Sequence, residues 1–276
     1  MAKFHFLVPL MPRVMVQDNW SGKLNSVETT FTLCLQSLLR QSYDGVQVNV
    51  ASHDDLPIAD TELLANSRLK HHRVTFSTPK TIELDEYNEL SGKILPALPD
   101  ITRRKVNDKY SKIKVCLTEA LKDPECEYVM LVDADDMVNR NLASYVMTSN
   151  QPDCGGYTVT KGYSHVLGTN ELRLLDAFHK TCGSCNINRI TVQDRELFNT
   201  HGNVNAFDRK THWLFAGHAS VFERIRQAGK VTFPLPFRAV IYVVNNGSNI
   251  SKVTSVGGTR ETIGSDITEQ FGLKSQ

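Results

Sequence analysis

The chain has 276 residues, 41% hydrophobic and 22% charged, which suits one large globular domain or two small ones and argues against general disorder. Lysine and arginine number 31 against 30 acids, so no global positive field exists to attract nucleic acid or an anionic membrane surface. No run of about 18 apolar residues occurs, the opening "MAKFHFLVPLMPRV" is too short and proline-broken for a signal sequence, and six scattered cysteines are too few for a disulfide scaffold. These features predict a cytoplasmic protein with reduced thiols and no membrane span.

In chain order, "KFHFLVPL" reads as a buried strand that ends near Pro9. From Ser26 to Gln41, Val27, Phe31, Leu35, Leu38 and Leu39 recur at helical spacing, with Ser26 as the expected N-cap. "VQVNVAS" alternates as a second strand, "HDDLP" follows as a polar loop, and "RVTFST" predicts a third strand. Residues 80–108 carry mixed signals and receive no element. Helical periodicity returns in "DKYSKIKVCLTEALK", where Tyr110, Ile113, Leu117, Ala120 and Leu121 share a face. Lys109 and Lys112, spaced i, i+3 on that helix, are candidates to reach a diphosphate.

"EYVMLVDADDMV" then supplies a buried strand, Tyr128 to Val132, that delivers Asp133, Asp135 and Asp136 within four positions. Repeated strand–helix–strand units imply right-handed crossovers and a mainly parallel central sheet flanked by helices, whose ligands sit beyond the carboxyl ends of the strands. Past residue 150, "CGGYTVTKGYSHVLG" suggests a hairpin, "HWLFAGHASVFERIRQAG" a strand or turn feeding a helix, and "AVIYVVNN" a last strand. The Gly-, Ser- and Thr-rich stretch from Asn245 predicts a mobile tail or lid.

Three ionised carboxylates at one strand end repel one another, and a divalent cation removes the conflict. Hard oxygen ligands suit Mn2+ or Mg2+, which keep positions for phosphate oxygens, so a nucleotide diphosphate is the natural partner. A calcium-binding loop would need glycine at Val138 and glutamate at Ser144. A haloacid-dehalogenase phosphatase would need threonine or valine at Met137. The pair Cys182 and Cys185 has redox spacing, yet no thioredoxin-like order surrounds it and no second pair completes a zinc site, so both read as packing or acceptor-loop residues.

The sequence resembles glycosyltransferase family 2 and its relatives with the GT-A fold. The resemblance rests on Ser37, Leu38, Leu39, Gln41 and Tyr43 in "SLLRQSY", on "EYVMLVDADD", and on "GHASVFERIRQAGKVTFPLP" with Arg224, Gly229 and Pro234 to Pro236. It implies a single GT-A (nucleotide-diphospho-sugar transferase) domain over residues 1–250, with a nucleotide-binding half at 1–137 and an acceptor half at 138–250, and leaves 251–276 as the tail or lid. It further implies transfer, with inversion, from a nucleotide-diphosphate sugar to a hydroxyl of a glycan or small-molecule acceptor.

Carried onto this chain, the resemblance makes Asp133 a ribose or metal contact and Asp135 the metal ligand. Asp136 would support the site or contact the sugar. Pro9, His53, Asp54 and Lys112 join Asp133 as nucleotide-binding candidates, and Trp213 is placed to stack on an acceptor ring. Where the family usually has an acidic base, this chain has His218, able to abstract a proton or ligate metal; Asp208 or Glu223 are the fallback bases. Asn245 stands where a histidine is common. Two other functions remain: a nucleotidyltransferase, for which "VPLMPRV" lacks the expected glycine-rich loop, and a non-catalytic glycan- or nucleotide-binding protein on the same fold.

Overall fold

In the computed structural model, residues 1–12, 24–76, 100–149, 151, 154–202, 204, 225–227, 229–244 and 258–272 are described, with backbone alone for 24–26 and 100–103. The first half builds β1 (Lys3–Pro9), α1 (Leu24–Leu39), which begins two residues before the expected N-cap Ser26, β2 (Val46–Ser52), an unanticipated single turn α2 (Thr61–Leu64), β3 (Leu69–Arg73), α3 (Asp100–Leu121), which extends into the stretch given no element, and β4 (Cys126–Leu131). These four strands pair in parallel, in the order β3-β2-β1-β4. Beyond β4 lie β9 (Asn186–Arg189), antiparallel to it, then β6 (Cys154–Thr158) and β10 (Val231–Pro234), completing a seven-stranded, mainly parallel sheet.

The period-two side-chain alternation of strands sorts residues onto two covered faces. Phe4, Phe6, Val8, Val48, Val50, Tyr128 and Met130 pack with Phe31, Cys34, Leu35 and Leu38 of α1. Leu7, Ala51 and Val129 point the other way, against Ile113, Cys116, Leu117 and Ala120 of α3. Burying each large aliphatic or aromatic side chain contributes about 1.5–3 kcal/mol, so these two layers fix where the strand ends lie.

A second, five-stranded sheet runs β12-β8-β7-β11-β5, from β5 (Met137–Val138), β7 (Gly162–Val166), β8 (Glu171–Leu175), β11 (Val240–Val244) and β12 (Arg260–Thr262). Around it and the first sheet pack α4 (Leu142–Thr148), α5 (Val192–His201) and α6 (Ser265–Phe271). The mixed α/β architecture, with helices on a mainly parallel sheet, accords with the GT-A expectation.

Several local expectations are corrected. The third strand lies at 69–73, N-terminal to "RVTFST"; as the sheet's edge it has solvent on one side and tolerates "LKHHR" where an interior strand would not. The stretch read as a hairpin is not one, because β6 belongs to the first sheet and β7 to the second, and the hairpin is β7 with β8. A Cβ on Gly162, at the start of β7, would sit 2.2 Å from the Phe178 ring, so the switch between sheets is packed tightly at a residue without a side chain. Within the stretch read as tail or lid, residues 260–262 form β12 and 265–271 form α6, with Ile267 and Phe271 buried. Residues 245–257 and 273–276 lie outside the described residues.

Candidate functional site

The acidic turn lies on the seam between the two sheets. β4 is buried, and its pairing continues one residue further through Val132 N–H to Leu7 C=O at 3.0 Å. The turn then closes with Asp136 N–H donating to Asp133 C=O at 3.0 Å, and the chain passes directly into β5 of the second sheet. Asp133, Asp135 and Asp136 thus occupy the carboxyl end of a central parallel strand.

The three carboxylates have different surroundings. Asp136 is fully buried and accepts from Ser184 Oγ at 2.6 Å, from Cys182 Sγ at 3.1 Å and, at the long limit of 3.4 Å, from Val243 N–H. Burial, followed by the charges of Asp135 and Asp133, pushes its pKa well above the ordinary carboxylate range, and the Ser184 and Cys182 hydrogen bonds pull it down less strongly. Its carboxylate has no exposed surface. Asp135 is half-buried.

Asp133 is partly exposed, and one carboxylate oxygen accepts a charge-assisted hydrogen bond from Lys109 Nζ of α3. Its backbone N–H donates to Ser184 Oγ at 2.8 Å, so one hydroxyl bridges Asp133 and Asp136. Burial lowers the Lys109 pKa, but the Asp133 charge and hydrogen bond outweigh it, and the net shift is upward. Lys109 is therefore a standing cation at neutral pH.

A second group forms at the ends of β1 and β2. Lys112 Nζ, fully buried, donates to Leu10 C=O at 2.8 Å and to Asp108 Oδ2 at 2.6 Å, while Asp108 Oδ1 lies 2.7 Å from His53 Nε2. The His53 ring meets Phe76 edge-on, with centroids 5.0 Å apart. Burial lowers the Lys112 pKa against the opposing charges of Asp108 and Asp54. Pro9 ends β1 opposite Ala51, and Asp54 follows His53 half-buried.

The structure therefore gathers Pro9, His53, Asp54 and Lys112 near the carboxyl ends of β1 and β2 and Asp133, Asp135 and Asp136 at that of β4, with α3 supplying Lys109 and Lys112 to the two groups. Lys112 is engaged by Leu10 and Asp108, so it positions Asp108 and His53 and presents no charge outward. His218, Trp213, Asp208, Glu223 and Asn245 lie outside the described residues. Sequence reasoning missed Asp108, although its i, i+4 spacing to Lys112 was a readable signal. It also missed the Ser184 and Cys182 clamp, for which sequence holds no local signal.

The donor set tests the expected Mn2+ or Mg2+. Among the described residues no group of three histidine, cysteine, aspartate or glutamate side chains is arranged to hold a metal ion. Asp133 is paired with Lys109, and Asp136 is enclosed by protein donors. A two-carboxylate site on Asp133 and Asp135 does not fit this arrangement unless Lys109 leaves Asp133.

No protein-family profile matches the chain, and no curated protein matches it. Among solved structures, that of S. aureus TarS has 14% identity over 88% of this chain and 37% of that one, with a TM-score of 0.45. A TarS fragment in complex with UDP-GlcNAc has 15% identity over 89% and 60%, with a TM-score of 0.46. The same fragment in complex with UDP gives 14%, 88% and 60%, with a TM-score of 0.41. This chain spans 60% or less of the length of these structures. Likeness this distant says nothing about its substrate. No helix among the described residues is long and apolar enough to cross a membrane.

Proposed function

We propose that the protein is a glycosyltransferase that moves a sugar from a nucleotide-diphosphate sugar to a hydroxyl of a glycan or small-molecule acceptor, with inversion. The observation that carries this reading is the seam itself: an acidic turn at the carboxyl end of β4, with a lysine ammonium beside it, next to the ends of β1 and β2. Anionic ligands of parallel sheets bind at such strand ends, and a cation there stabilises a departing diphosphate.

In this reading Asp133 and Lys109 face the ribose and diphosphate, and His53 and Asp54 face the base, with His53 held in place by Asp108. His218 takes the acceptor proton as the acceptor oxygen bonds to the anomeric carbon, the anomeric carbon–oxygen bond breaks, and the nucleoside diphosphate leaves with the bonding pair. No step in the proposal runs through a metal ion.

The test is incubation with a panel of nucleotide sugars, reading release of nucleoside diphosphate and transfer to added glycans. Wild-type protein is expected to show at least slow donor hydrolysis. His218→Ala is expected to lose turnover by on the order of 100-fold or more while donor binding by calorimetry is retained. Absence of donor binding in the wild type overturns the reading, and unchanged turnover in His218→Ala removes the base assignment alone.

A further inference from the structure

We infer that the Lys109 ammonium is the resident cation of the acidic turn, so that a nucleotide diphosphate docks there without Mn2+ or Mg2+. The inference rests on the proposed function and concerns what neutralises the ligand at that same site.

One of the two carboxylates expected at a metal, Asp133, is committed to Lys109. Asp133 is held from three directions: its side chain by Lys109, its backbone N–H by Ser184 Oγ at 2.8 Å, and its backbone C=O by Asp136 N–H at 3.0 Å. The loop carrying Ser184 also leans over the pair. A Cβ on Gly183 would stand 3.0 Å from Asp133 Oδ2 and 3.6 Å from Lys109 Nζ, so the backbone passes close to the pair at a residue without a side chain. Asp136 is fully enclosed by Ser184, Cys182 and Val243 and offers no oxygen to an entering ion. A divalent ion that took the Asp133 oxygen held by Lys109 would have to displace that ammonium, because Asp136 has nothing to offer in its place.

The pair is nevertheless open on one side. The side chains of Lys109 and Asp133 are each 27% exposed, in contrast to Lys112, which is 0% exposed. An ammonium has three protons, and a single carboxylate uses at most two of them. A proton of Lys109 can therefore meet a phosphate oxygen from solvent while Asp133 keeps its hydrogen bond, as a point charge binds phosphate. Sharing one cation between Asp133 and the diphosphate also explains how acids tolerate an anionic ligand beside them.

The experiment is calorimetric titration of the full chain with UDP, GDP and CDP, once in EDTA and once with Mn2+. The nucleotide that binds is expected to do so with a Kd in EDTA within about threefold of that in Mn2+, a difference below about 1 kcal/mol. Lys109→Met is expected to weaken binding in EDTA on the order of ten- to a hundredfold, with Mn2+ restoring much of it because Asp133 is released to take the ion. Lys109→Arg is expected to keep binding in EDTA. Wild-type binding that vanishes in EDTA overturns the inference and leaves the glycosyltransferase reading standing. Binding of none of the three nucleotides in either condition overturns the reading itself, and the inference with it. The wild-type comparison decides the matter even where the methionine variant fails to fold.

Discussion

His5 shows how a single buried side chain couples this protein to pH. It sits on β1 facing α3, with Nδ1 3.1 Å from Asn49 Nδ2 and Nε2 3.5 Å from Asp123 Oδ2, and Asn49 Oδ1 in turn faces His72 Nε2 at 3.0 Å. Burial pulls the His5 pKa down to about 4, with Lys3 and Arg195 also lowering it and Asp123 opposing. In the unfolded chain the pKa is near 6.5, so between those values the unfolded state binds the proton and the folded state does not. His5 therefore costs no stability above pH 6.5, and stability is lost as pH falls from there toward 4. Urea unfolding at pH 7 and pH 5 is expected to differ by about 2 kcal/mol from this group, and a His5→Gln variant to show a shallower dependence. Equal slopes in the two proteins would refute the assignment. At this scale the acids Asp133, Asp135 and Asp136 were legible because strand and turn are adjacent in sequence. Lys109 was legible as a phosphate candidate but not as the partner of Asp133, which stands 24 positions away.

Among the elements, α6 is one that sequence composition concealed. Its seven residues follow a glycine- and serine-rich stretch, yet Ile267 and Phe271 are buried with Met137, Tyr163, Ile241 and Val243 of the second sheet. The Phe271 ring meets that of Tyr163 edge-on at 6.0 Å. Phe271→Ala is expected to cost about 3–5 kcal/mol, measured as a lower urea midpoint with an unchanged slope; a loss below about 1 kcal/mol would mean the helix is not part of the cooperative unit. Short apolar patterns in the second half were hard to read for a related reason. β5 has two residues and β12 three, too few to display any periodicity, and β6 and β7 look like one hairpin until the partners of each are known.

At the scale of the whole molecule, α1 fastens the two sheets together. Gln41, just past its end, donates from Nε2 to Asn139 C=O at 3.0 Å and accepts from Ala143 N–H at 3.0 Å, while Ser37 Oγ accepts from Val138 N–H at 3.0 Å. These residues belong to the stretch that suggested the GT-A fold, and in this structure they tie the start of the second sheet to the first. Gln41→Ala leaves the buried Ala143 N–H without its partner, while Asn139 C=O keeps the hydrogen bond from Leu142 N–H, so a loss of about 1–3 kcal/mol in unfolding free energy is expected. A loss below about 1 kcal/mol would show that the fastening is redundant. The parallel first sheet was legible because it repeats a strand–helix–strand unit with strong apolar patterning. The second sheet was not, since its strands come from five separated segments.

The setting of the acids also imposes an order on biosynthesis. Asp133 and Asp136 both hang on the hydroxyl of Ser184, which lies in the loop that leads into β9. A nascent chain that has released β4 already possesses its carboxylates, but lacks the group that orients them until about fifty more residues have left the ribosome. Any fragment that stops short of that loop has the charges without their arrangement.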